Sequence, residues 1–256
     1  MRVKPKKALG QHFLTDMNVA SRIADTVDVE PYTSLPILEI GPGTGVLTRF
    51  LLPKGRELKC VELDSESVEY LHREYPSLDV TEGDFLKMDL HELYHGEFCL
   101  TGNYPYNISS QIFFRLLEYR EQIPVCTGML QREVAERICA SPGTKTRGIL
   151  SVLLQAWYKC EYLFTVSEHV FNPPPKVKSG VIRLVRNEVK SLGCDEVLFK
   201  KVVKTSFGMR RKTLRNSLGP LIPKESPLWN DPILAERPER LSVEQFIYLT
   251  KSIQGI

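Results

Sequence analysis

The sequence predicts an α/β fold with a mostly parallel sheet, followed by a smaller helical region. Three observations carry that prediction. Short apolar, strand-like runs alternate with stretches of helical periodicity from Pro36 to Cys139. A glycine-rich turn, Gly41 to Gly45, directly follows the first of those runs. Beyond about residue 187 the texture changes to helical spacing, a basic cluster and scattered prolines.

Taken in order, residues 36–40 (PILEI) form the first strand, and residues 44–52 a helix after the glycine turn. Residues 57–63 (ELKCVEL) are the second strand. Asp64 and Ser65 can cap a helix that runs to Tyr75 and is closed by Pro76. Residues 78–81 and 98–101 are the third and fourth strands. The stretch 109–119 carries Ile112, Phe113, Leu116 and Leu117 at helical spacing. Residues 125–130 are a fifth strand, 132–139 a helix, and 180–185 a strand after the Pro173-Pro174-Pro175 run. From about Asp195, Val197, Leu198, Val202 and Val203 recur with helical period, and Pro220, Pro223, Pro227, Pro232 and Pro238 divide the C-terminal stretch into short segments. The expected division is a first domain over 1–186 and a helical domain over 187–256.

With 42% hydrophobic and 25% charged residues, the composition is that of an ordinary globular chain and excludes disordered and collagen-like classes. The net charge is only +3, so affinity for polyanions must come from where charge is concentrated. The longest apolar stretch, 149–158, is broken by Ser151 and Gln155 and falls short of the ~20 residues of a membrane helix. Residues 8–14 contain Gly, Gln and His where a signal peptide needs an apolar run. A soluble, cytoplasmic protein with no membrane partner is therefore expected. The six cysteines have neither C-x-x-C pairing nor a His at zinc-ligand spacing, so no metal is expected. Cys60, Cys99 and Cys126 sit in strand-forming runs and are expected to be buried free thiols.

The segment Glu39-Ile-Gly41-Pro-Gly43-Thr-Gly45 ends a strand and opens a helix, where open α/β sheets bind ligands. Glycine there lets a ligand approach the backbone. The spacing is G-x-G-x-G, not the dinucleotide G-x-G-x-x-G, and no phosphate-loop lysine is present. A purely structural tight turn is the alternative. At the second strand end, Glu62 is placed to accept from both hydroxyls of an adenosine ribose, while Asp64 is read as a solvated helix-cap acid. At the third, Asp84 can accept from an adenine amino group with Phe85 beside the ring; alone it would be a turn residue.

The fourth strand ends in Asn103-Tyr104-Pro105-Tyr106, the most specific signal in the chain. An exocyclic amine on a base is a poor nucleophile because its lone pair is delocalised into the ring. Two acceptors, the Asn103 side-chain oxygen and a backbone carbonyl of Tyr104, can hold its two N–H bonds and favour a more tetrahedral nitrogen. Pro105 fixes the turn, and Tyr106 offers a face for an extruded base. A surface turn is the competing reading.

Gly41-Pro-Gly-Thr-Gly45, Glu62, Asp84 and Asn103-Tyr-Pro-Tyr106, in that order, resemble the class I (Rossmann-like) S-adenosylmethionine-dependent N6-adenine methyltransferases. Residues 7–14 (KALGQHFL) look like the N-terminal cofactor-closing motif of the rRNA adenine dimethyltransferases. Residues 131–135, 148–152 and 171–177 are similar to later motifs of that family. Residues 207–218 (FGMRRKTLRNSL) and 237–242 (RPERLS) favour its KsgA-type small-subunit branch over the erythromycin-resistance methylases. The resemblance runs essentially end to end.

It implies S-adenosylmethionine as cofactor and, as substrate, two adjacent adenines in the 3′-terminal hairpin loop of 16S rRNA. Each would be dimethylated at N6 in a late small-subunit precursor. By position, His12, Leu14, Gly41, Gly43, Glu62, Asp84 and Asn103 would contact the cofactor. Asn103 and Tyr104 would hold the amine, with Pro105 shaping the turn and Tyr106 and Phe171 on the two faces of the base; read on its own, Phe171 is a core aromatic. Two departures stand out: His12 where many relatives have Asn, and Tyr104 where this branch usually has Leu. If the Tyr104 side chain lines the pocket, room for a second methyl is in question; if only its carbonyl acts, the side chain matters little.

Lys200, Lys201, Lys204, Arg210, Arg211, Lys212 and Arg215 fall in a stretch without Asp or Glu, and Arg2, Lys4, Lys6 and Lys7 form a second cluster. Such concentration suits RNA phosphates; a solvated helix face is the alternative. The chain is expected to act as a monomer. Rival functions are a large-subunit rRNA or DNA adenine methylase, and a non-catalytic RNA-binding assembly or transcription factor on the same fold.

Overall fold

The computed structural model describes residues 3–6 and 9–255. In chain order, β1 (Phe13–Leu14) and α1 (Met17–Asp25) precede β2 (Ile37–Ile40), α2 (Thr48–Leu51), β3 (Leu58–Glu62), α3 (Ser65–Glu74), β4 (Asp79–Glu82) and β5 (Cys99–Gly102). Then come α4 (Ser109–Glu118), β6 (Val125–Gln131), α5 (Arg132–Ile138), α6 (Ile149–Gln155), β7 (Tyr158–Val166), β8 (Phe171–Asn172) and β9 (Ser179–Arg186). Helices α7 (Glu196–Gly208), α8 (Leu214–Leu218) and α9 (Val243–Gln254) complete the order, with short 3-10 turns at the proline-rich segments between α8 and α9.

Seven strands form one sheet in the order β4-β3-β2-β5-β6-β9-β7. The pairs β2–β3, β2–β5, β3–β4 and β5–β6 are parallel, and β6–β9 is antiparallel. Every residue of β2 and β5 is buried, as expected for central parallel strands covered on both faces. The chain builds outward from β2 to β4 and then crosses to β5 on the other side. The crevice beyond the carboxyl ends of β2 and β5 is therefore the switch point at which such sheets bind ligands.

The helix expected over 44–52 is reduced to α2. Gly43 (φ 57°) and Gly45 (φ 75°) hold left-handed backbone, so the chain turns before any helix can start. Cys60, Cys99 and Cys126 are buried in β3, β5 and β6, and all six cysteines are free. No helix among the described residues is long and apolar enough to cross a membrane.

Two compact units are present. One comprises the chain up to Ala135 together with Cys160–Arg186; the other comprises Glu136–Lys159 with Asn187 onward. Residues 136–159, expected in the first domain, thus belong to the second unit. The reason is α6, whose Leu150, Ser151, Val152, Leu153 and Leu154 are all buried, so it needs cover on nearly every side. It packs on α7 and α9. Beside it Arg147 is fully buried, donating to Leu241 O (3.1 Å), Ala140 O (2.6 Å) and Gln155 Oε1 (2.8 Å), which stitches the two stretches of the unit together.

Candidate active site

Strand register builds the site. Ile40 pairs with both Val61 and Gly102, and Glu62 pairs with Glu82. The residues just past these positions, Gly41, Leu63, Gly83 and Asn103, therefore stand in one row at the carboxyl edge of the sheet. They line a cleft of about 170 Å³, which residues 9–13 and 104–108 complete.

Gly41 (φ 65°) and Gly43 form the turn after β2, and a Cβ on Gly43 would stand 2.9 Å from the Phe13 ring. The Gly43 N–H donates to Glu62 Oε2 and the Asp64 N–H to Glu62 Oε1, both at 2.9 Å. Burial raises the Glu62 carboxyl above its ordinary range, and these backbone donors oppose that shift. Each oxygen keeps a second lone pair for a ligand hydroxyl. Asp84 accepts from Leu86 N (3.0 Å) and pairs with Lys87 (3.3 Å), and Phe85 beside it is buried.

Asp64 is not the solvated cap expected. It is 3% exposed and accepts from Lys6 Nζ, Ser67 Oγ (2.9 Å) and Gln11 Nε2 (3.4 Å). Burial works against its charge, yet these donors hold the carboxyl below its usual range. It thereby ties the segment that covers the cleft to the start of α3.

Asn103 extends β5 by a bridge to Met129, and its Nδ2 donates to His12 O at 3.1 Å. A carbonyl can only accept, so this bond fixes which end of the amide is which, and Oδ1 is left as an acceptor. The Tyr104 ring is packed in the core. Its hydroxyl donates to Thr127 O at 2.6 Å, and the ring lies edge-on to Phe113 at 5.8 Å. Gly102 and Gly128 make room for it: a Cβ on either would come within 3.2 and 2.7 Å of the ring. Tyr104 thus offers the cleft its backbone. The Tyr106 hydroxyl shares a 2.5 Å hydrogen bond with Ser179 Oγ, and its ring lies 5.4 Å from that of His12. His12 Nδ1 is 2.9 Å from Pro173 O.

Phe171 is not brought to the cleft. It pairs with Leu14 in the two-residue β1–β8 ladder and is 4% exposed, packed in the core with Leu14 and Ile23. That ladder turns the ring inward. Leu14 lines a small cavity behind the glycine turn, together with Gly41, Gly43, Asn103 and Glu39. Glu39 is buried, accepts from Thr48 Oγ1 at 2.6 Å, and has its carboxyl pushed up by burial to about 7. Ser179 and the anchoring role of Asp64 were missed in the sequence, because each depends on a partner more than 55 residues away.

In the second unit Lys200, Lys201, Lys204, Arg211, Lys212 and Arg215 are exposed. Arg210 donates to Lys145 O, while Arg215 donates to Trp229 O at 2.6 Å and lies 5.8 Å over that ring, so both also brace the unit. Lys4 is exposed; Arg2, Lys7 and Ala8 lie outside the described residues.

The sequence pattern of the ribosomal RNA adenine dimethylases matches residues 2–254. The chain belongs to that family. This dimethylase is 66% identical over 255 residues to a ribosomal RNA small subunit methyltransferase A of Bacteroides thetaiotaomicron, covering 98% of this chain and 95% of the relative. It is 65% identical to the protein of the same name from Parabacteroides distasonis, covering 97% and 93%. Among solved structures, it resembles a dimethyladenosine transferase from Plasmodium falciparum (TM-score 0.79, 26% identity, 96% of this chain and 99% of that one). It also resembles the 23S rRNA methyltransferase ErmE (TM-score 0.71, 26% identity, 93% and 99%). The dimethylase is an S-adenosylmethionine-dependent enzyme of class I (Rossmann-like) architecture.

Proposed function

We propose that this enzyme dimethylates N6 of two adjacent adenines in the 3′-terminal hairpin loop of 16S rRNA, within a late small-subunit precursor, acting as a monomer. The observation that carries the chemistry is the Asn103 amide, locked by His12 O so that Oδ1 is an acceptor. The small-subunit assignment is supported by the names of the relatives at 65–66% identity.

The residues present fit S-adenosylmethionine. Gly41 and Gly43 let a ligand approach the backbone, Glu62 has lone pairs for the ribose hydroxyls, and Asp84 with Phe85 flanks the adenine position. When bound, the cofactor supplies an electrophilic methyl on a sulfonium sulfur. Asn103 Oδ1 and Tyr104 O accept the two N–H bonds of the target amine and direct its lone pair toward that methyl. Positioning and exclusion of water supply most of the rate. Tyr106 stacks on the base, and its phenol does not act as a base: burial raises it above its ordinary value and Ser179 occupies its hydroxyl. The amine becomes strongly acidic once methylated and loses its proton to water. The Tyr104 ring, held in the core, does not compete for the space of a second methyl. The exposed cations at 200–215 grip rRNA phosphates.

Tritium transfer from labelled S-adenosylmethionine to undermethylated small subunits, followed by nucleoside analysis, tests this reading. Dimethyladenosine approaching four methyls per subunit is the expected result. Transfer to large-subunit RNA or DNA alone would move the enzyme to a sister group.

A further inference from the structure

The site contains a side chain whose position suits it to a specific task. Ser179 opens β9 and pairs with Gln131 at the last step of the β6–β9 ladder, so its place is set by the sheet. It is fully buried, and its hydroxyl meets the Tyr106 phenol at 2.5 Å. The strand here is tightly seated. A Cβ on the next residue, Gly180, would come within 2.8 Å of both Ala135 and the Tyr162 ring. On its other side the Tyr106 ring faces His12, which is itself tied to Pro173 O.

A stacking ring contributes to catalysis only when it is held where the base arrives, because small errors in position are costly in rate. A partly buried phenol without a partner turns until it finds one. We propose that Ser179 is a positioning residue for methyl transfer: its buried hydroxyl pins the Tyr106 phenol oxygen and so fixes the long axis of the ring on which the target adenine stacks. This rests on the reading of Tyr106 as the stacking face. The anchor lies at the opposite end of the ring from its backbone, so the ring's long axis is held at both ends, and the His12 ring 5.4 Å away limits rotation about that axis.

The test uses Tyr106→Ala, Tyr106→Phe, Ser179→Ala and the double variant Tyr106→Phe/Ser179→Ala in the full-length enzyme. Each is assayed over a range of undermethylated small-subunit concentrations, with S-adenosylmethionine affinity measured separately by calorimetry. Tyr106→Phe and Ser179→Ala should each lower kcat/KM for the subunit about three- to tenfold, the scale of one hydrogen bond. The cofactor Kd should stay within about twofold, and the double variant should be no worse than either single one. Additive losses, or cofactor affinity falling in step with activity, would give Ser179 a role in the sheet alone and overturn the proposal. Wild-type kinetics in Tyr106→Phe would overturn it even if Ser179→Ala fails to fold. A Tyr106→Ala enzyme with unchanged KM would instead remove the stacking reading itself. That failure is distinct from failure of the anchor, in which the Ala variant is impaired and the Phe variant is not.

Discussion

The backbone carbonyl of His12 accepts the Asn103 side-chain amide at 3.1 Å, so the segment at residues 9–13 that lines the cleft and the Asn103 amide are joined by one bond. The position of that segment and the orientation of Asn103 are therefore coupled: a displacement of residue 12 would remove the partner that decides which end of the amide accepts.

Asn103→Ala should abolish transfer, with a loss of about a thousandfold or more, the scale seen when a preorganised polar group is removed from a reacting centre. Affinity for S-adenosylmethionine should fall far less. Asn103→Asp keeps an acceptor but cannot donate to His12 O, and should also be crippled. Single-turnover assays beside calorimetry check both, and an active Asp variant would disprove the coupling.

Tyr104→Leu should cost about 2–4 kcal/mol of stability, since it removes a buried hydrogen bond and leaves a void beside Gly102 and Gly128. The ratio of dimethyl to monomethyl product should not change. Denaturant melts and nucleoside analysis measure the two effects. A shift in that ratio would show that the ring reaches the methyl pocket after all.

Glu39 gives stability a pH dependence. Its folded carboxyl holds a proton up to about pH 7, against an ordinary value of 4.5, so between those values the folded chain binds more protons than the unfolded one. Its contribution is greatest below 4.5 and is lost as pH rises toward and past 7, by up to about 3 kcal/mol. Glu39→Gln keeps an acceptor for Thr48 and should flatten this part of the curve. Urea titrations of both proteins from pH 5 to 8 decide; parallel curves would rule the effect out.

Replacing the exposed Lys201, Arg211 and Lys212 by Ala should raise KM for the subunit and leave kcat and cofactor affinity unchanged. For every phosphate no longer neutralised, the slope of log affinity against log salt should fall by about 0.7–0.9. Binding measured at several salt concentrations reads this out, and an unaltered slope would return these residues to a solvated helix face.

The polar row of the site was legible because each member closes a strand, and strand ends arrive in chain order: Gly41, Glu62, Asp84, Asn103. Those strands arise from local runs of apolar residues. The features that escaped depend on partners distant in sequence. Phe171 lies in the core, as the residue read on its own suggests, and only its pairing with Leu14, which nothing near residue 171 announces, goes against the stacking role implied by resemblance. Asp64 has an ordinary helix-cap context, and two of the donors that hold its buried carboxylate, Lys6 and Gln11, lie more than 50 residues back in the chain. The apolar character of 149–158 was plain, but which helices cover it is settled only by α7 and α9.

Arg147 also has a bearing on how the molecule is made. Its acceptor at Leu241 lies 94 residues further along the chain, so on the ribosome the guanidinium emerges long before its partner exists. Until residue 208 the apolar helix beside it lacks α7, and through the whole of that interval it lacks α9. The first unit, too, must wait across this insertion for β7 and β9 before its sheet is complete. Neither unit can be finished by its own first stretch of chain. Maturation is therefore gated by the final stretch of translation, and a nascent chain released short of Leu241 should be exposed to proteases at 136–159.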